Sequence, residues 1–127
     1  MNSLCPCGKA KPLDQCCGLF HSGKQYAKTP EQLMRSRYSA YALGGLGEYL
    51  LNTWHPAMVK DLKAESLSEN SQMWVKLEVL SKTQKSDEGT VEFKAYFINE
   101  KGNEEILYEK SYFQRISGKW LYVGAEQ

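Results

Sequence analysis

The chain has 127 residues, 42% of them hydrophobic and 24% charged, with 16 basic against 15 acidic side chains and a formal net charge of +1. That is one ordinary domain with a core, plus room for a small appendage, in the composition range of a globular protein. A near-neutral chain has no global field drawing it to nucleic acid or an anionic membrane, and no apolar run approaches the roughly 20 residues that span a bilayer.

The amino end, Met1-Asn2-Ser3-Leu4, has neither the basic region nor the apolar run of a secretory signal or of a lipoprotein site at Cys5. A cytoplasmic location, with reduced thiols, is therefore expected. All four cysteines follow at once: Cys5, Cys7, Cys16 and Cys17. Cys16 and Cys17 are adjacent and only Pro6 separates Cys5 from Cys7, so disulfides within either pair would be strained and only cross-pairings are comfortable. Four thiolates arranged as two close pairs can instead converge on one tetrahedral Zn²⁺. A site closed by four protein ligands is structural, so one zinc ion per chain is expected to hold shape and do no chemistry. A redox or metal-handling role would need labile metal and low-pKa thiolates.

The run Cys5-Pro6-Cys7-Gly8, followed after eight residues by Cys16-Cys17-Gly18, resembles the SEC-C motif, the zinc knuckle at the carboxyl end of the bacterial preprotein translocase motor. The positions matching the motif's ligands are Cys5, Cys7, Cys16 and Cys17, with Cys17 standing where the motor has a histidine. The motif's usual Gly-Ser-Gly-Lys reads Gly8-Lys9-Ala10-Lys11 here, so the loop must turn with an alanine in place of the second glycine.

Residues 18–28 contain two glycines and no clear period, and read as a linker. The resulting division is a knuckle over 1–20, a linker over 21–28 and a domain over 29–127. Leu19 and Phe20 are expected to pack on that domain, and His21 reads as a packing or surface histidine. Lys9, Lys11, Lys24 and Lys28 meet only Asp14 before residue 30, a solvated basic face that offsets the negative charge of a zinc tetrathiolate.

Thr29-Pro30-Glu31-Gln32 starts a helix: threonine caps, proline fills the first turn and Gln32 completes a capping box. Met34, Tyr38, Tyr41 and Ala42 follow a helical period, and Gly44-Gly45 ends it. A second helix is expected over Leu46 to Trp54, a third over Pro56 to Ala64, and a polar loop over Glu65 to Gln72. The period then changes to alternation. Strands are expected at Trp74 to Lys82, Thr90 to Asn99, Glu105 to Ile116 and Lys119 to Val123, joined by turns at 86–89, 99–103 and Ser117-Gly118. Val91, Phe93, Ala95 and Phe97 form one inward face; on the next strand either Tyr108 and Tyr112 or Leu107 and Phe113 do. Helices followed by an antiparallel meander give an α+β fold, with helices covering one side of a curved sheet.

Leu33-Met34-Arg35-Ser36-Arg37-Tyr38-Ser39-Ala40-Tyr41, Tyr49-Leu50, Thr53-Trp54-His55-Pro56, Glu109-Lys110-Ser111-Tyr112-Phe113 and Trp120-Leu121-Tyr122 together resemble the YchJ family (UPF0225 type) of small bacterial proteins. The resemblance covers nearly the whole chain. It implies a cone-like middle domain similar to nuclear transport factor two, and many members carry a second knuckle at the carboxyl end where this chain stops at Gln127. It supplies no biochemical activity.

Two functional readings follow. In the first, the knuckle and its scaffold form an adaptor that contacts a protein partner; the translocase knuckle docks a chaperone and works close to the ribosome, so a ribosomal or nucleic-acid contact is a weaker variant. In the second, the cone interior binds a small ligand or acts as an enzyme. Its candidate cavity residues are Arg35, Arg37, Tyr38, Trp54, His55, Phe97, Glu109 and Trp120, with His55 as a base oriented by Glu109. The plainer roles are a helix-end hydrogen bond for His55 and an Arg37 pair with Glu109. No nucleophile triad, phosphate-binding glycine loop or carboxylate pair is present, so no catalytic residue is assigned and binding is favoured over catalysis. No membrane partner is expected.

Overall fold

The computed structural model describes residues 4–69 and 73–126. In chain order these form a 3₁₀ turn at Leu13–Gln15, α1 (Cys17–His21), α2 (Pro30–Leu43), α3 (Gly47–Asn52), a 3₁₀ turn at Pro56–Met58, α4 (Ala64–Leu67), β1 (Met73–Lys85), β2 (Glu88–Ile98), β3 (Glu104–Ile116) and β4 (Lys119–Glu126). The strands pair antiparallel in the order β1-β2-β3-β4, a curved meander with α2 across it. This is the expected α+β arrangement.

α2 starts as its sequence dictates. Thr29 Oγ1 accepts from the Gln32 amide at 3.1 Å, Pro30 occupies the first turn, and Gln32 Oε1 reaches back to the Lys28 amide at 2.8 Å. Gly44 and Gly45 end it at φ of 75° and 76°, a left-handed conformation that costs glycine nothing. The helix is buried on more than the one face that its apolar spacing marks: Leu33, Met34 and Tyr38 join the core, while Ser36, Ser39 and Ala40 are also inaccessible. The second burial comes from the cysteine-bearing segment.

The core comprises Leu33, Met34, Tyr38, Val91, Phe93, Ala95, Phe113 and Trp120. Register settles the face left open on β3. Phe93 lies opposite Glu109, Ala95 opposite Leu107 and Gly89 opposite Phe113, so odd-numbered residues of β3 face inward while Tyr108 and Tyr112 stay exposed on the other side. In β1, irregularities between Trp74 and Lys76 and between Val79 and Ser81 break simple alternation. They bring Trp74, Leu77 and Val79 onto the core side and leave Val75 and Leu80 outside.

Several boundaries differ from expectation. Residues 17–21, where no helix was expected, form α1 because Cys17 and the residues after it are held against α2. The third helix is only a 3₁₀ turn: Lys60, Asp61 and Lys63 interrupt any apolar face, and helix resumes as α4 inside the stretch expected as a polar loop. Residues 70–72 of that loop lie outside the described residues. Trp54 falls beyond α3 in a bridge to Tyr122, with His55 N donating to Tyr122 O at 2.7 Å and Tyr122 N to Thr53 O at 2.8 Å. The β1–β2 turn is tighter than expected, with Ser86 at φ 54° and Gly89 already in the strand.

Candidate metal centre and aromatic cavity

The cysteine segment folds back on itself. Cys5 N donates to Lys11 O at 2.8 Å, Leu4 bridges Pro12, and Cys16 N donates to Leu13 O at 3.0 Å, so the two cysteine pairs meet. Gly8 takes φ 90° and Ala10 φ 55°; the alanine adopts the left-handed turn that glycine would take more easily. All four thiol sulfurs lie within 4.8 Å of one another. Cys5, Cys7 and Cys17 are buried and Cys16 half-buried, and none is in a disulfide: Cys7 and Cys16 approach to 3.6 Å, against about 2.05 Å for an S–S bond.

Thiols this close cannot all ionise independently. Hydrogen bonds from Cys17 and Cys7 push the Cys5 thiol far down, and the same contact with Cys5 pushes Cys17 far up. A bound cation would remove that conflict by neutralising every sulfur at once, and the donor set suits a thiophilic ion. Cys5, Cys7, Cys16 and Cys17 together could therefore hold a metal ion.

The surroundings of the cluster come from α2. Ser39 Oγ sits 3.5 Å from Cys5 Sγ, and Arg35 Nη1 donates to Cys7 O at 2.6 Å while its Nε pairs with Glu31 at 2.9 Å. His21 Nε2 donates to Ser36 O at 2.8 Å and its ring meets Tyr49 edge-on at 4.9 Å. Because Ser36 Oγ gives its own proton to Leu33 O, Tyr49 Oη donates to Ser36 Oγ at 2.6 Å. Burial pushes the His21 imidazole down from 6.5 and the Tyr49 hydroxyl up to about 12, which favours the neutral form of each.

On another side of α2 lies a cavity of about 310 Å³ walled by Met34, Tyr38, Tyr41, Trp54, Trp74, Phe93, Phe113 and Tyr122, with Arg37, Ala95, Leu107, Glu109 and Ser111 completing it. Arg37 Nη1 donates to Leu50 O and Thr53 Oγ1, both at 2.7 Å, so it caps the end of α3. The guanidinium lies 4.8 Å from the ring centres of both Trp54 and Tyr122. Glu109 accepts from Ser111 Oγ and from Tyr122 Oη.

Of the residues expected in the cavity, Arg37, Tyr38, Trp54 and Glu109 line it. The others are elsewhere. Arg35 points to the knuckle because α2 turns that face towards Cys7. His55 Nδ1 accepts from Ala57 N at 3.1 Å and caps the following 3₁₀ turn, so it is not set against Glu109 as a base. Phe97 packs on Trp74, and Trp120 is buried in the core with Nε1 donating to Lys28 O at 3.2 Å. Arg37 and Glu109 do not form the expected pair; each is committed to other partners. Sequence reasoning missed Ser36 and Ser39, whose spacing of three marks a polar stripe on α2 but says nothing of sulfur. It also missed Tyr41, which stands one helical turn after Arg37 on α2, and Ser111 and Tyr122, which only the strand register brings to the cavity.

Comparison with known proteins agrees with this anatomy. Residues 29–125 match the family model described as the YchJ middle NTF2-like domain. The chain is 44% identical over 126 residues to a UPF0225 protein of Vibrio parahaemolyticus, covering 97% of this chain and 74% of the relative. It is 39% identical over 125 residues to a UPF0225 protein of Streptomyces coelicolor, covering 96% and 94% respectively. Among solved structures, a SEC-C motif containing protein from Rhodopseudomonas palustris superposes with a TM-score of 0.88 at 34% identity over 98% of both chains. A second, from Psychrobacter arcticus, gives 0.83 at 29% identity over 98% of this chain and 84% of that one. A cysteine knuckle seated on a helix-covered meander, matched along almost the full chain, places the protein in the YchJ (UPF0225) family, with SEC-C and NTF2-like parts.

Proposed function

We propose that the protein is a zinc-knuckle adaptor, in which Cys5, Cys7, Cys16 and Cys17 bind one structural zinc ion and the loop they brace contacts a protein partner. The observation that carries this reading is the contrast between the two sides of the knuckle. Cys5, Cys7 and Cys17 are buried and the cysteine segment is tied to α2 through Ser39, Arg35 and His21, which suits a structural ion whose four thiolate ligands would leave no coordination position for a substrate. Its outer loop turns Lys9 and Lys11 to solvent beside Leu4, which is 63% exposed. A rigid tip combining an apolar side chain with two cations suits an acidic protein surface with an apolar spot. The family resemblance is compatible with such a role and assigns no chemistry.

The test has two steps. Protein purified without added metal should contain about one zinc per chain by elemental analysis, the ratio that four ligands to one ion require. Cross-linking in cells through Lys9 or Lys11 should then capture a discrete partner, and the Lys9→Glu/Lys11→Glu double variant should lose it with zinc content and fold unchanged. Capture that is indifferent to the double variant would remove the knuckle loop as the contact.

A further inference from the structure

The cavity beside α2 is independent of the knuckle reading and carries its own chemistry. Arg37 is 5% exposed, and among the described residues no carboxylate forms an ion pair with it. Glu109 attracts it across the cavity without bonding to it, so the guanidinium is a buried cation with no hydrogen-bonded counter-ion, a costly state that a bound anion would relieve. Nη1 is spent on Leu50 O and Thr53 Oγ1, Tyr41 is a further hydrogen-bond partner, and the neighbouring Trp54 and Tyr122 rings lie against the guanidinium; of its five N–H groups some on Nε and Nη2 are still to spare. Glu109, on the same cavity wall, receives both of its hydrogen bonds on Oε2, from Ser111 and Tyr122, and Oε1 takes neither.

The cavity therefore offers one cationic donor edge and one anionic acceptor oxygen among aromatic rings. A simple acid would satisfy Arg37 but meet repulsion from Glu109; a simple amine would satisfy Glu109 but meet repulsion from Arg37. A molecule that carries both charges resolves both sites. At about 310 Å³ the space is at the small end for ligand sites, and its lining is largely apolar. We propose that this cavity binds a small zwitterion with an apolar body, of the size of an aromatic amino acid, its carboxylate on Arg37 and its ammonium on Glu109.

Titration calorimetry on the full-length chain tests this with three probes: L-phenylalanine, 3-phenylpropionate, which lacks the ammonium, and phenethylamine, which lacks the carboxylate. Phenylalanine should bind saturably, and each truncated probe at least about 10-fold more weakly, the loss expected when one charged contact is removed. Glu109→Gln should erase most of the preference for phenylalanine over 3-phenylpropionate. Arg37→Lys, which gives up the planar fork, should weaken phenylalanine by about 10-fold. Because Arg37 also holds α3, Leu107→Trp provides a second variant: Leu107 lines the cavity and is 41% exposed, so a larger ring there should fill the space and abolish binding without disturbing the core. No binding of phenylalanine, equal binding of the truncated probes, or binding untouched by Leu107→Trp would each overturn the proposal.

Discussion

Ala10 is the residue at which the knuckle loop departs most visibly from its ideal. At φ 55° its Cβ crowds the backbone, a conformation costing a non-glycine residue about 1–2 kcal/mol, part of which is recovered because alanine restricts the unfolded chain. Ala10→Gly is therefore expected to stabilise the metal-bound knuckle by about 0.5–1 kcal/mol, read by thermal unfolding. Ser39 acts on the other side of the cluster. Its hydroxyl, 3.5 Å from Cys5 Sγ, can support a charged sulfur there, so Ser39→Ala should weaken metal binding by about 10-fold in a chelator competition. His21 gives a pH signature. Its folded pKa lies below the ordinary 6.5, so its contribution is complete above that value; as pH falls the unfolded chain takes up the proton first and stability declines. Between about pH 7.5 and 5.5 the native chain should lose melting temperature faster than His21→Gln, and identical slopes would show that His21 does not titrate across folding. The cysteine cluster was legible because four cysteines in seventeen residues have few physical explanations. Ser39 was not, because a serine's value to a thiolate depends on a helix thirty-four residues away, which no spacing encodes.

Two helices are positioned by glycines that have no room for a side chain. A Cβ on Gly18 would lie 2.6 Å from Leu13 O, where α1 rides against the 3₁₀ turn, and one on Gly47 would lie 1.8 Å from Ala64 O, where α3 meets α4. Both neighbours are backbone and cannot swing aside. Gly18→Ala should displace α1 and with it Cys17, weakening metal binding by the cysteine cluster, whereas Gly47→Ala should cost about 1–3 kcal/mol of stability and leave metal binding unchanged. Elements were readable where local signals agreed: the cap and proline of α2, the paired glycines at its end, the alternation of β2. The short helices were misjudged because Lys60 to Leu67 carries no strong period, and what makes Ala64–Leu67 helical is its contact with α3, including Gly47 N donating to Ser68 Oγ at 2.7 Å. The face of β3 was undecidable because apolar residues occupy both sides of the strand, and register with β2 resolves it.

Knuckle and cone share one wall. Along α2, Arg35, Ser36 and Ser39 serve the cysteine segment, while Met34, Arg37, Tyr38 and Tyr41 serve the cavity. A knuckle read from sequence as a separate unit held to the domain by Leu19 and Phe20 is thus also tied to the helix that organises the domain through Ser39, Arg35 and His21. Metal removal should therefore lower the main calorimetric transition rather than melt a separate knuckle, and a transition unmoved by chelator would show that the contacts on α2 carry no stability. Composition and element order sufficed for the architecture, whereas the shared wall required coordinates, because adjacent residues on one helix look alike in sequence whichever neighbour they face. The irregular pairing of β1 has a consequence beyond packing. β1 is at the margin of the meander, with β2 on one side only, and a straight strand there would offer its unpaired amides to β1 of another molecule. Two kinks, together with Lys76, Lys82 and Lys85, twist and charge that margin, so that strand-to-strand polymerisation is resisted by the same two interruptions that turn Trp74, Leu77 and Val79 inward.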